Sequence, residues 1–332
     1  MGDRVMKSQT DILYNTVQTY DFRMDYFRFG TGEKTMVILP GLSVQSVMNS
    51  AEAVAEEYKI FAEDYTVYVF DRRGDLPETY AVREMAEDTA EAFRILGLRS
   101  VDLFGASQGG MIALVMAQDH PDLAGNLVLG SSACRVTDRQ FGTIAEWIAL
   151  AERGDARGLY LSFGKKLYPK AVFEQYREIL AGLAGTVTEN ELRNFVILAR
   201  GMEDFDVSGQ MDRIQCPVLA LEADDDRVLG AEAGALINER MKERPDFSYH
   251  VYSGFGHAAF DTAAPEYQER IFRFFCAART LTSDRRAGGP AAILAVMTVF
   301  GIRADRRIYS PNVLISSDYD IREITGNGGQ LP

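Results

Sequence analysis

The stretch Val101-Asp102-Leu103-Phe104-Gly105-Ala106-Ser107-Gln108-Gly109-Gly110-Met111-Ile112-Ala113-Leu114 constrains the fold of this chain more than any other. A short apolar run breaks at a glycine-flanked serine and resumes with helical character, which predicts strand, sharp turn and helix in immediate succession. The Gly-x-Ser-x-Gly core at Gly105, Ser107 and Gly109 has a steric logic. A serine strained between strand and helix needs neighbours two residues away that carry almost no side chain. Such a turn would lift the Ser107 hydroxyl above the edge of a sheet as a candidate nucleophile. The same string also occurs in ordinary small-residue turns, so its meaning depends on the rest of the chain.

On either side, strand and helix alternate. Thr19 to Phe29 alternates apolar and polar residues until Phe27 and Phe29 slip phase, and Gly30-Thr31-Gly32 then turns the chain, suggesting the start of an antiparallel hairpin. Thr35 to Leu39 and Tyr65 to Phe70 are continuous apolar runs of the kind buried on both faces, with helical spacing over Ala51 to Phe61 between them. Val82 to Leu96 reads as an amphipathic helix, and Leu127 to Gly130 as the strand after the Ser107 helix. This rhythm implies a mostly parallel sheet with right-handed crossovers and helices on both faces. It stops over Asp138 to Asp206, where amphipathic helical segments carry Trp147, Tyr160, Phe163, Phe195 and other large apolar residues without a strand. Cys216 to Leu221, Gly230 to Glu243, Phe247 to Tyr252 and Pro265 to Ala278 restore strand, helix, strand and helix. The expected organisation is a core first part (1–137), a helical insertion (138–210), a core second part (211–280) and an extension (281–332). In that extension, Ala291 to Ile302 is too short and interrupted to span a membrane, and the last residues, Gly326 to Gly329, have the composition of a disordered end.

Composition narrows the function. A formal net charge of −13 argues against nucleic-acid or anionic-membrane partners, which reward clustered Lys and Arg. Cys134, Cys216 and Cys276 are far apart and without a CxxC pair, so neither a disulfide framework nor a zinc site is expected. The polar N-terminus lacks an apolar leader, and a cytoplasmic location is the expectation. Oligomeric state is not readable from the sequence.

A serine nucleophile needs a base, and the base an orienting acid. Of three histidines, His120 ends a helix beside Pro121 and His250 sits inside a strand. His257 lies in the loop Gly254-Phe255-Gly256-His257 after a strand, where an open sheet delivers functional side chains to its carboxyl edge. For the acid, Asp224-Asp225-Asp226 follows the strand ending at Leu221. Like charges this close disfavour one another's ionisation, so at most one should face His257.

From about Asp21 to Ala278 the chain resembles the α/β-hydrolase superfamily, specifically its capped, carboxylesterase-like serine hydrolases. The resemblance is carried by Pro40-Gly41-Leu42-Ser43, Asp71-Arg72-Arg73-Gly74, Gly105 to Gly110, Pro217-Val218-Leu219 with Asp226, and Gly256-His257, in family order. It implies the α/β-hydrolase fold with a helical cap, and a triad of Ser107, Asp226 and His257. Asp226 takes the acid role by its spacing from Ala223, where relatives usually have glycine, and Asp225 is the alternative. It further implies an oxyanion hole from the backbone N–H groups of Leu42 and Gln108. Relatives commonly carry His-Gly where this chain has Pro40-Gly41, which leaves the backbone donor intact. Ser43 either lends a hydroxyl there or caps the next helix, and Asp71 to Gly74 reads as a structural turn at a strand end. The implied activity is cofactor-independent hydrolysis of a carboxylic ester or related small acyl compound, with substrate-binding residues unassigned. Acyl transfer, lyase chemistry or noncatalytic ligand binding remain open on the same fold. The superfamily's dehalogenases and epoxide hydrolases carry Asp where Ser107 stands.

Overall fold

The computed structural model describes residues 11–287, with side chains as far as Ala278. The readings made for the N-terminus and for residues 288–332 lie outside the described residues. Eight strands form one sheet: β1 (Leu13–Gln18), β2 (Arg23–Phe29), β3 (Lys34–Leu39), β4 (Tyr65–Arg73), β5 (Val101–Ala106), β6 (Ala124–Gly130), β7 (Val218–Ala223) and β8 (Phe247–Tyr252). Their order is β1-β2-β4-β3-β5-β6-β7-β8. The β1/β2 and β2/β4 pairs are antiparallel and every other pair is parallel. This is the α/β-hydrolase fold, a mostly parallel sheet covered by helices.

The continuous apolar strands are explained by two cores. Val37, Leu39, Leu103, Leu127, Leu129, Val218 and Ala220 pack on one side, against α2 (Val82–Ile95), α3 (Gln108–Asp119) and α8 (Ala231–Met241). Their strand neighbours Met36, Ile38, Phe104, Val128, Leu219 and Leu221 pack on the other. There they meet α1 (Ala51–Glu57), the short α9 (Ala259–Thr262) and the closing α10 (Glu266–Ala287). Successive side chains point to opposite faces, so a strand covered on both sides must be apolar throughout. Each fully buried Leu or Phe contributes about 1.5–3 kcal/mol relative to exposure.

The hairpin differs from expectation. It joins β1 to β2 through a turn at Thr19–Phe22, closed by Thr19 N to Phe22 O at 2.9 Å and Phe22 N to Thr19 Oγ1 at 2.9 Å. Gly30-Thr31-Gly32 instead leads from β2 to β3, and β4 lies between those two strands. β1 is almost wholly exposed, so it lacked the apolar alternation that marks a strand.

Between β6 and β7 the chain makes four helices: α4 (Asp138–Glu152), α5 (Ala156–Leu167), α6 (Lys170–Leu183) and α7 (Glu189–Arg200). Their starts are chemically marked. Thr137 with Gln140, and Thr188 with Glu191, form reciprocal capping boxes, and Asp155 accepts from Gly158 N at 2.8 Å. The ends of this excursion are pinned together by Val136 N to Phe205 O and Val207 N to Cys134 O, each 2.8 Å. Trp147 and Phe195 are buried within it, and Phe163 sits between them, its ring 4.0 Å from Trp147 and 5.7 Å from Phe195. Among the described residues no helix is long and apolar enough to cross a membrane.

Candidate active site

The topology creates the site. β3 pairs with β4 on one side and β5 on the other, so the chain's crossovers diverge there and a crevice opens beyond the carboxyl ends of the strands. Leu39 at the end of β3 pairs with Gly105 near the end of β5, which brings Pro40-Gly41-Leu42 beside Ser107. Gly41 eases this approach, since a Cβ on it would stand 3.2 Å from the Ser107 Cβ, tighter than an ordinary contact.

Ser107 occupies the turn between β5 and α3 with φ 51° and ψ −119°. A non-glycine residue in this region costs about 1–3 kcal/mol and persists only when its surroundings impose it. Ser107 N donates to Gly130 O at 2.8 Å, its carbonyl accepts from Gly110 N and Ser132 Oγ at 2.9 Å each, and α3 continues directly from it. A Cβ on Gly105 would collide with the Gly109 backbone, which is why the flanking residues are side-chain-free.

His257 arrives on the loop between β8 and α9, almost fully buried. Its Nε2 lies 2.9 Å from Ser107 Oγ and its Nδ1 2.7 Å from Asp226 Oδ2. Asp226, on the loop after β7, also accepts from Val228 N at 2.8 Å and Leu229 N at 3.0 Å through Oδ1. Burial pushes the Asp226 carboxyl up, but the His257 charge and these hydrogen bonds outweigh it and hold the group below its ordinary value. The neighbouring acids are occupied elsewhere. Asp225 pairs with Arg227 at 2.6 Å, and Asp224 accepts from Ser253 Oγ and Gly254 N at 2.7 Å each. Burial and the Asp226 charge push the Glu222 carboxyl in β7 well above its ordinary value. His120 sits between Arg94 and Glu87, and His250 packs edge-on to Tyr252, both away from Ser107.

Gln108 follows Ser107 in sequence, and Leu42 lies on the loop after β3 that passes beside it. Neither backbone N–H donates to a protein acceptor among the described residues, and that of Gln108 opens α3, where helix N–H groups are unpaired and the dipole is positive. Arg72 holds this arrangement in a way the sequence did not reveal. Its Nη2 donates to Pro40 O at 2.7 Å and Gln108 Oε1 at 3.3 Å, tying the β3 loop to the start of α3. Gln108 Nε2 in turn donates to Leu198 O of α7 at 2.7 Å. Burial lowers the Arg72 pKa, opposed by the Asp71 charge. A buried arginine must find acceptors, and here they come from segments distant in sequence. Ser43 does not cap the next turn. Its hydroxyl donates to Gln45 O at 2.7 Å, and Ser46 does the capping by accepting from Met48 N at 3.1 Å.

Above Ser107 and His257 opens a cavity of about 460 Å³ between the β3 loop and the helices inserted after β6. Ile144, Trp147, Tyr160, Phe163, Leu167 and Leu180 give it a largely apolar wall. Phe195 instead faces a smaller polar recess of about 210 Å³ beside Arg72. Among the described residues no group of three or more His, Cys, Asp or Glu is placed to hold a metal ion.

Comparison with known proteins agrees with this architecture. The chain is 24% identical over 250 residues to a protein of Rhizobium rhizogenes named "Putative carbamate hydrolase RutD", covering 73% of this chain and 92% of the relative. Among solved structures, MGS-M2, an alpha/beta hydrolase enzyme from a Medee basin deep-sea metagenome library, superposes with a TM-score of 0.70 at 19% identity. That match covers 79% of this chain and 97% of the other. The enol-lactonase of Burkholderia xenovorans LB400 superposes with a TM-score of 0.69 at 14% identity, covering 79% and 100%. Residues 33–262, from the start of β3 to the end of α9, match the family described as serine aminopeptidase, S33. That span contains Ser107, Asp226 and His257, and the chain is a member of this family of α/β-hydrolases.

Proposed function

We propose that this hydrolase cleaves a carboxylic ester or related small acyl compound through a Ser107-His257-Asp226 triad and an acyl-enzyme. The observation that carries this reading is the unbroken chain from Ser107 Oγ through His257 to Asp226, at 2.9 and 2.7 Å, at the base of a mostly apolar cavity. His257 Nε2 takes the Ser107 proton as Oγ attacks the acyl carbonyl, and Asp226 fixes the imidazole tautomer and stabilises the imidazolium. The tetrahedral oxyanion is received by the N–H groups of Leu42 and Gln108, which have no protein acceptor to give up. His257 then returns the proton to the leaving alcohol. Water, activated by the same imidazole, releases the acid. The helices over 138–200 serve as the cap that shapes the substrate space. The relatives' names, carbamate hydrolase and enol-lactonase, both describe attack at an acyl carbonyl and support the same reaction class.

The test is turnover of short-chain nitrophenyl esters with a pre-steady-state burst. Ser107→Ala should remove burst and turnover together, while an unchanged rate in that variant would refute the assignment.

A further inference from the structure

The loop after β3 carries Leu42 beside Ser107, and its polar links to the inserted helices converge on one side chain. Among the described residues, every hydrogen bond between residues 40–46 and 138–200 runs through the Gln45 amide. Its Oε1 accepts from the Tyr160 hydroxyl on α5 at 3.1 Å. Its Nε2 donates to Glu191 Oε1 at the start of α7 at 3.3 Å, and to Thr186 Oγ1 at 3.4 Å. The partners dictate which way the amide faces. Burial pushes the Glu191 carboxyl up, but hydrogen bonds from Thr188 and Gln45 outweigh it and hold the group below its ordinary value, so it is an anion that only accepts. Glu191 Oε2 closes the α7 capping box with Thr188, which leaves Oε1 to Gln45. The loop is braced on its other side as well: Gln45 O accepts from Ser43 Oγ at 2.7 Å, and Ser46 Oγ donates to Asp71 Oδ2. The helix held by the amide, α5, supplies Tyr160, Phe163 and Leu167 to the cavity wall.

We propose that Gln45 is a positioning residue, whose amide seats the inserted helices on the loop that supplies the Leu42 N–H and so sets the oxyanion hole. An oxyanion donor works only where it is held at the point of developing charge, and a misplacement of about 1 Å can cost about 10²-fold in rate. Tyr160 and Glu191 lie 115 and 146 residues from Gln45 in sequence, so no local chain contact replaces the link when the amide is lost. The loss acts on support for the transition state and is read in kcat rather than in KM. The proposal deepens the hydrolase reading and rests on it for turnover, so its test includes a measurement independent of turnover.

Gln45→Glu keeps the side chain's shape but sets a carboxylate against Glu191. Adding Glu191→Gln repairs the contact, because the new amide still closes the capping box through its oxygen while its nitrogen donates to the carboxylate at position 45. With nitrophenyl acetate at neutral pH, Gln45→Glu should lower kcat about tenfold and leave KM within about twofold of the wild type. The paired variant should recover most of that loss. Gln45→Met, which removes the polar atoms without adding charge, should lower kcat in the same direction, and it serves as the test if Gln45→Glu fails to fold. An unchanged kcat, a change confined to KM, or a loss that Glu191→Gln fails to recover would overturn the proposal. Trp147 gives the readout free of turnover: it is the chain's single tryptophan, buried in the insertion with its ring 4.0 Å from that of Phe163 on α5. Acrylamide quenching of its fluorescence should rise in Gln45→Glu and return in the paired variant, as the inserted helices loosen and reseat. Quenching unchanged by Gln45→Glu overturns the link. Quenching that rises and returns in a protein that turns over no ester upholds the seating by Gln45 and refutes the hydrolase reading instead.

Discussion

The two sides of the cavity are built differently. Below, Ser107, His257 and Asp226 stand on loops at the carboxyl edge of a sheet buried on both faces, each fixed by backbone hydrogen bonds or by the side chain it is hydrogen-bonded to. Above, α4 to α7 meet the core through side-chain links such as Tyr160 to Gln45 at 3.1 Å, Gln108 to Leu198 at 2.7 Å and Tyr168 to Asp261 at 2.9 Å, a backbone bond from Ala258 N to Leu167 O at 3.1 Å, and apolar side chains shared with one of the two cores. The lower side is over-determined and can hold strain, as Ser107's positive φ requires. The upper side meets solvent and the cavity with side chains that take no part in the sheet's hydrogen bonding. On the proposed function, chemistry belongs to the lower side and selection to the upper.

If this division is right, substitutions below should abolish turnover, and those above should redistribute it among substrates. The largest effect after loss of the nucleophile is expected from Asp226→Asn, which leaves the geometry but favours the wrong imidazole tautomer. We expect a fall in kcat of about 10⁴-fold, measured by ester turnover with a fold check by circular dichroism. A loss below tenfold would shift the acid role to another carboxylate.

Next comes Arg72→Met, which removes the guanidinium between Pro40 O and Gln108 Oε1. With the β3 loop released, kcat should drop about 10- to 100-fold while KM for a nitrophenyl ester changes little, the signature of support given to the transition state. A pure rise in KM would place Arg72 in ground-state binding instead.

On the upper side, Phe163→Ala should raise KM for a longer acyl chain by about tenfold and leave acetate esters nearly untouched. Equal losses for both chain lengths would break the division, because a cap residue would then be serving the chemistry.

The smallest effect concerns Glu57, at the end of α1. Burial and the nearby Asp261 charge raise its pKa to about 8, opposed by the hydrogen bond from Gln268. The folded chain therefore holds a proton that the unfolded chain releases near the ordinary carboxylate pKa, and stability falls as pH rises from about 4.5 to 8. Glu57→Gln should melt higher than the wild type at pH 8, with the difference shrinking toward pH 4.5. A pH-independent difference would mean that the carboxyl titrates normally.

The same division explains what the sequence made legible. The Ser107 turn is local, since glycine spacing, strand and helix lie within a few residues, and order along the chain pointed to His257 and to the acid loop. Choosing Asp226 over Asp225 leaned on family resemblance, and the hydrogen-bond geometry now separates them. The parallel strands were readable because burial on both faces makes them continuously apolar. β1 was not, because an exposed antiparallel strand has no such pattern. Arg72 and the Tyr168–Asp261 pair were invisible for another reason. Their partners are distant in sequence, and nothing local distinguishes an arginine that braces a loop from one at the surface.

The central claim is that Ser107 is the nucleophile activated by His257. Its most direct test is mass spectrometry of peptides from the protein treated with a fluorophosphonate. A single adduct on the peptide containing Ser107, absent in Ser107→Ala and strongly slowed in His257→Ala, is the expected result. An adduct on another residue, or labelling of Ser107 at an undiminished rate without His257, would contradict it.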